Sequence, residues 1–150
     1  MIAFAQTIDN LIEPLRKLSY SVMSPLFDLG VRLYLGNAFF SSGLLRFKDW
    51  KNGNFDNQVF LFELEHPVPG LDPTAAAYIT TGAELILPIM LVFGLFGRFA
   101  AAGLLVMTAV IEFTYGHYDT HILWAFLGGM IFLKGPGKLS LDSLILKWIR

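Results

Sequence analysis

Four long apolar runs constrain the fold of this chain more than any other feature. They cover about residues 26–45, 75–96, 98–115 and 117–133. Each approaches the roughly 20 residues that a helix needs to cross about 30 Å of hydrocarbon. The 55% apolar and 15% charged residues also favour lipid as the surrounding solvent. The sequence therefore predicts an all-α integral membrane protein, built as a four-transmembrane-helix bundle.

The rest of the chain extends this single domain at both ends of the spans, which occupy residues 26–134. Residues 1–25 carry apolar side chains at helical spacings with basic side chains between them, a pattern typical of an N-terminal interfacial helix. Because Pro14 costs least near a helix start, the regular part is expected to begin near Ile12. Residues 135–150 are predicted to form a C-terminal amphipathic tail.

The connection between the first two runs, residues 46–74, is long and unusually apolar. It begins with a turn signal at residues 52–54, Asn-Gly-Asn. We predict that a short helix or a partly buried cap follows, lying over the mouth of the bundle, since Val59, Phe60 and residues 62–64 need burial. This makes the first extracytoplasmic loop a structured one.

The distribution of basic residues predicts the orientation. By the positive-inside rule, the side with more Lys and Arg faces the cytoplasm. Three basic residues lie in the long connection: Arg46, Lys48 and Lys51. Seven lie at the ends of the spans on the other side: Arg16, Lys17, Arg98, Lys134, Lys138, Lys147 and Arg150. The larger number on that side predicts that both termini are cytoplasmic.

Composition also excludes several functions. The net charge is −1 and there is no basic block, so a nucleic-acid partner has no electrostatic support. The chain has no cysteine, which excludes disulfides, thiolate chemistry, iron–sulfur ligation and cysteine-type zinc sites. Any redox chemistry would need a bound cofactor. The N-terminus lacks the pattern of a removable signal peptide.

Two charged residues lie inside predicted spans, where lipid makes an isolated charge costly. Arg32 is in the first span, with Asp28 one turn before it as a potential i,i+4 partner. Glu84 is near the middle of the second span, and we expect it to pair with Arg32. Pro88 cannot donate a hydrogen bond to the carbonyl of Glu84, which predicts a bend and a polar pocket there. The alternative is that Arg32 and Glu84 form a structural latch between helices.

A second polar group surrounds the turn between the third and fourth runs. Glu112 precedes the turn, and His117 and His121 bracket the start of the fourth span, with Trp124 close by. If the fourth helix starts at His117, the two imidazoles share one face, the arrangement needed to share a metal or pass a proton. Tyr, Trp and His also collect at membrane interfaces for reasons of solvation alone.

Three segments together resemble the DoxX family of membrane proteins. They are the run from Arg32 to Gly43 followed by Phe47-Lys48-Asp49-Trp50, the second span from Glu84 with its turn Gly94 to Ala101, and the closing stretch Gly135 to Asp142. The resemblance covers roughly residues 26–145 and implies a four-helix fold in a bacterial inner membrane. The long connection looks most like a subgroup linked to copper-responsive peptide-modification operons. Other relatives include a subunit associated with thiosulfate:quinone oxidoreductase.

Three functions are compatible with these residues. The first is a subunit of a membrane redox complex that binds a quinone through Arg32, Glu84, His121 and Trp124, with carboxylates and imidazoles handling protons. The second is a non-enzymatic scaffold that recruits a periplasmic or membrane protein through residues 60–71. The third is transport of a metal or small solute by an oligomer, using Glu112, His117 and His121. The resemblance favours the first.

Overall fold

The structure, a computed structural model, describes residues 2–65, 67–114, 116 and 118–149, and every regular element among them is helical. A π-helical turn, Ser19–Met23, joins the first two helices. The helices are α1 (Ile2–Leu18), α2 (Ser24–Lys51), α3 (Phe55–Leu64), α4 (Pro73–Phe93), α5 (Gly97–Thr114), α6 (Asp119–Lys134) and α7 (Leu141–Ile149). The all-α prediction is confirmed.

Helices α2, α4, α5 and α6 form the bundle. Helix α2 packs mainly on α4, α4 on α5 and α5 on α6, and α6 touches α2 to close the ring. Short connections between α4, α5 and α6 make these helices antiparallel neighbours, as the sequence predicted. Buried apolar residues of the four helices form one cluster at the core: Val31, Leu35, Phe39, Leu91, Ala100, Ala101, Leu104 and Ile131.

Two of the helices, α4 and α5, are long and apolar enough to cross a membrane. Within the described residues α2 and α6 do not reach that standard. Helix α6 has only 16 residues, and polar side chains such as Arg32 and Asn37 lower the hydropathy of α2. The helices lie where the four spans were predicted, but only two spans are supported by length and composition.

The N-terminal helix differs from the prediction. It runs from Ile2 without interruption, so Pro14 lies inside it and not near its start. The predicted beginning near Ile12 is therefore wrong. The helix extends for several turns ahead of Pro14. The proline removes only one backbone hydrogen bond, so the helix continues through it. Glu13 and Lys17 form an i,i+4 ion pair of 2.8 Å on its surface.

The first connection is structured, as predicted. Helix α2 continues to Lys51, a turn follows at Asn52 and Gly53, and α3 packs on both α2 and α4. Phe55 and Phe62 are buried, but Phe60 and Leu64 are exposed, so the expected burial of those two is wrong. A ten-residue helix has one buried face, and these two side chains lie off it.

The bundle has two ends, which we name by a glycine at each. The Gly94 end contains the α4–α5 turn and the loop from α6 to α7, and the Gly116 end contains α3 and the α5–α6 connection. At the Gly94 end, the Asp142 carboxylate accepts bonds of 2.8 Å from the backbone N–H groups of Phe96 and Gly97. The start of α7 is thereby fastened to the start of α5.

Candidate functional site

Arg32 is fully buried at the Gly94 end, where it joins three segments of the chain. Its guanidinium donates hydrogen bonds to the carbonyl oxygens of Val92, at 2.9 Å, and of Leu139. Asp28 accepts instead from the Lys134 amine at 3.2 Å. Backbone carbonyls thus take the place of the acidic partner that the sequence suggested for Arg32.

Glu84 does not pair with Arg32, so that prediction is wrong. Its carboxylate lies 3.3 Å from the guanidinium Nε of Arg46, and the Glu84 side chain is 3% exposed. Val92, which binds Arg32, follows Glu84 by eight residues, about 12 Å along a helix. Arg46 is the residue directly after the predicted end of the first span, so its long side chain can reach back to the buried acid.

Helix α3 covers the Glu84–Arg46 pair. The Arg46 guanidinium lies over the ring of Phe62, 5.0 Å from its centroid, which is a cation–π contact. Gln58, also on α3, donates to the Asp49 carboxylate at 2.6 Å. Helix α3 therefore covers the buried ion pair on the side of the Gly116 end.

Gly43 permits this arrangement by letting α2 and α4 approach closely. A Cβ atom at this position would lie 2.9 Å from the carbonyl carbon of Glu84 and 2.9 Å from its Cβ. Small residues have this role in many membrane helix pairs. The backbone of Glu84 is thus pressed against α2, one turn along from Phe39.

The second polar group lies at the Gly116 end. The Nδ1 atom of His121 is 2.7 Å from a carboxylate oxygen of Glu112, and the imidazole is almost fully buried. The rings of Tyr118 and Trp124 each lie 5.3 Å from the His121 ring, centroid to centroid. A carboxylate that holds one ring nitrogen fixes the orientation of the imidazole and leaves Nε2 for other chemistry.

Trp124 connects this group to the core. Its ring lies 5.0 Å from that of Phe39 on α2. The indole Nε1–H is buried and has no hydrogen-bond partner among the described residues. An unpaired buried donor costs free energy, so it marks a place where a ligand oxygen would be favourable.

Of the four predicted quinone-binding residues, His121 and Trp124 are in contact. Glu84 packs on Gly43, on the face of α2 that also contains Phe39, the partner of Trp124. Arg32 lies at the Gly94 end, away from the other three. The predicted start of the last helix at His117 is wrong, because α6 begins at Asp119. His117 itself lies outside the described residues. Within them no group of three His, Cys, Asp or Glu side chains could hold a metal ion.

Sequence reasoning missed the roles of Arg46 and Phe62 and the contact of Phe39 with Trp124. The depth of Glu84 required a cation, and only Arg32 was considered, because Arg46 was counted with the basic residues of the long connection. The two aromatic residues had no local signal, because their partners Arg46 and Trp124 are distant in the chain.

Between α2 and α4 there is also an apolar cavity of about 270 Å³. Its walls include Gly36, Phe40, Pro88 and Phe93. Phe39, by contrast, belongs to the core, and Phe96 is exposed. The cavity adjoins the turn of α4 that follows Glu84 and could accommodate a flat ring or part of a lipid chain.

These features define the class as an all-helical bundle protein with two helices long enough to span a membrane and buried ionic groups at both ends. The chain belongs to the DoxX family, which matches residues 27–117. Family membership and the apolar α4 and α5 together indicate a membrane protein.

A relative from Haemophilus influenzae (strain ATCC 51907 / DSM 11121 / KW20 / Rd), named "Uncharacterized protein", is similar to this chain. The two are 29% identical over 129 residues, covering 78% of this chain and 82% of the relative. No solved structure matches the chain.

Proposed function

We propose that the protein crosses the bacterial inner membrane four times, with both termini in the cytoplasm, and binds a quinone as a subunit of a membrane redox complex. The observation that carries the proposal is the buried indole Nε1–H of Trp124, which has no partner among the described residues and lies beside the ring of His121. A quinone carbonyl oxygen would accept a hydrogen bond from such a donor.

The chemistry of the surrounding residues suits a quinone head group. The half-buried ring of Trp124, which packs on the buried Phe39, offers an aromatic face. His121, oriented by Glu112, can accept or donate a proton at its other nitrogen. A bound quinone would supply two-electron redox chemistry.

Glu84 and Arg46 have a supporting role in this proposal. Glu84 packs on Gly43, one turn along α2 from Phe39, and Arg46 is about two turns from it. One guanidinium nitrogen of Arg46 is buried without a hydrogen-bond partner among the described residues. A buried ion pair fixes the packing of α2 on α4 and shapes the polar end of the site. Arg32 has no part in it, because it binds Val92 and Leu139 at the other end of the bundle.

Quinone quenching of tryptophan fluorescence tests the proposal directly. The chain has three tryptophans, and Trp148 is 92% exposed. Titrating a short-chain ubiquinone into purified protein is expected to give a saturable quench in the wild type and in Trp148→Phe. In Trp124→Phe the saturable part is expected to disappear. Quenching that does not saturate, or that persists unchanged in Trp124→Phe, would refute the site.

The second candidate, a scaffold that recruits a protein partner through residues 60–71, is favoured by one observation. Phe60 and Leu64 on α3 and Leu71 after it are exposed. Exposed apolar side chains outside the bundle mark a protein contact. A photo-crosslinker at Phe60 should then recover one specific membrane or periplasmic protein, whereas a crosslinker at Lys51 should not. Equal capture from both positions would remove this candidate.

A further inference from the structure

The Gly94 end contains a groove that takes no part in the proposed quinone site. It has a volume of about 1040 Å³ and runs between the start of α2, the α4–α5 turn and α7. Four basic side chains line it: Arg98, Lys134, Lys138 and Lys147. The basic residues had suggested only an orientation, whereas the fold brings these four together.

The acidic residues of the groove are already occupied. Asp28 binds Lys134 at 3.2 Å, and the Asp142 carboxylate accepts two backbone N–H groups. Arg98, Lys138 and Lys147 form no ion pair with any described residue. Lys138 donates only to the carbonyl of Tyr20, which does not neutralise its charge. The groove therefore has an excess of positive charge.

Apolar side chains form much of the rest of the groove's lining. Phe96 and Phe99 on one side are 66% and 68% exposed, and Ile145 and Leu146 of α7 lie on the other side. Trp148, also on α7, is exposed. An amphipathic helix with an exposed tryptophan and flanking lysine is typical of a segment that lies at the interface of a bilayer.

We infer that this groove binds an anionic phospholipid of the bilayer, with its headgroup against Arg98, Lys138 and Lys147 and its acyl chains along Phe96 and Phe99. The charge complementarity selects an anion, and the apolar walls select a lipid over a soluble anion. Basic pockets beside membrane helices recognise anionic headgroups in this manner. The inference does not depend on the quinone site or on the side that the Gly94 end faces.

Native mass spectrometry of the full chain tests this inference. Protein is reconstituted with equal amounts of phosphatidylglycerol and phosphatidylcholine, and the lipid retained after transfer is counted. The wild type is expected to retain phosphatidylglycerol preferentially. In Arg98→Gln/Lys147→Gln this preference should fall on the order of tenfold or more, because each nearby cation adds to the binding of an anionic lipid.

Two matched variants separate the charge effect from a structural one. Lys48→Gln/Lys51→Gln removes the same charge at exposed positions of the Gly116 end and is expected to keep the preference. Arg98→Lys/Lys147→Arg keeps the charge in the groove and should retain it too. Loss of preference in either variant would overturn the inference, as would equal retention of the two lipids by the wild type.

The same experiment distinguishes other possible occupants of the groove. Release of the phosphatidylglycerol by millimolar inorganic phosphate would mean a site for a free anion and would overturn the lipid proposal. A dimer that retains no lipid and is lost in Arg98→Gln/Lys147→Gln would mean that a second copy covers the groove, which would overturn it as well.

Discussion

At the scale of single residues, the buried charges determine how the bundle is assembled. Arg32 binds the carbonyl oxygens of Val92 and Leu139, while Glu84 pairs with Arg46. Each buried charge therefore has its own partner at its own end of the bundle. Removing one member of such a pair is costly, because the other is left charged in an apolar environment.

The Glu84–Arg46 pair depends on the close approach of α2 and α4 at Gly43. Gly43→Ala would place a Cβ atom 2.9 Å from the backbone of Glu84, so α2 and α4 must separate. We expect the free energy of unfolding to fall by about 1–3 kcal/mol, measured by thermal unfolding in a mild detergent.

The control is a second helical glycine. A Cβ at Gly82 meets nothing within 4 Å, so Gly82→Ala is expected to stabilise the protein by roughly 0.5–1 kcal/mol. Similar stability changes at the two positions would mean that close packing at Gly43 is not what holds α2 on α4.

At the scale of helices, α7 is fastened to the α4–α5 turn by one side chain. Asp142 accepts from Phe96 and Gly97, and its own N–H donates to the carbonyl of Gly94 at 3.0 Å. Phe96 has a positive φ of 49°, which is rare for a residue with a side chain. The Asp142 carboxylate stabilises this turn as a helix cap supplied from a distant segment.

Asp142→Ala is expected to loosen two elements at once. The loss of two hydrogen bonds at a helix start costs about 0.5–2 kcal/mol, and amide hydrogen exchange should rise both in Leu141–Ile149 and at residues 95–97. Asp72→Ala is the matched control, because Asp72 caps only its own helix through Thr74 and Ala75. Faster exchange in α7 of the Asp72 variant, or none in that of Asp142, would contradict this role.

The sequence predicted these helices better than their partners. Apolar runs indicated α2, α4, α5 and α6, since a span needs only length and composition. The start of α1 was predicted wrongly from Pro14, because a helix tolerates one internal proline when packing and neighbouring turns continue it. The partners of Arg32, Glu84 and Trp124 could not be predicted, because each comes from a segment far along the chain.

At the scale of the whole molecule, the number of membrane crossings determines which ends face which compartment. Helices α4 and α5 meet the length and hydropathy of a span, whereas α2 contains buried charge and α6 is short. Four crossings place residues 51 and 138 on opposite sides of the membrane, because α4, α5 and α6 lie between them. Two crossings, by α4 and α5 alone, place them on the same side.

The absence of cysteine makes this testable without background labelling. Lys51→Cys and Lys138→Cys change exposed residues. A maleimide that cannot cross membranes should label Lys51→Cys in intact cells, and Lys138→Cys only after permeabilisation. Labelling of both variants in intact cells, or of neither, would contradict four crossings. The unsubstituted chain reports any non-specific reaction.

The contacts of Arg32 also set an order of events during synthesis. The guanidinium emerges with α2, whereas Val92 and Leu139 follow 60 and 107 residues later. Until the translating ribosome has passed both, the arginine lacks its native acceptors and must remain hydrated or be held by other components. The contacts around Arg32 in the first helix of the bundle are therefore complete only when the segment that contains residue 139 is in place.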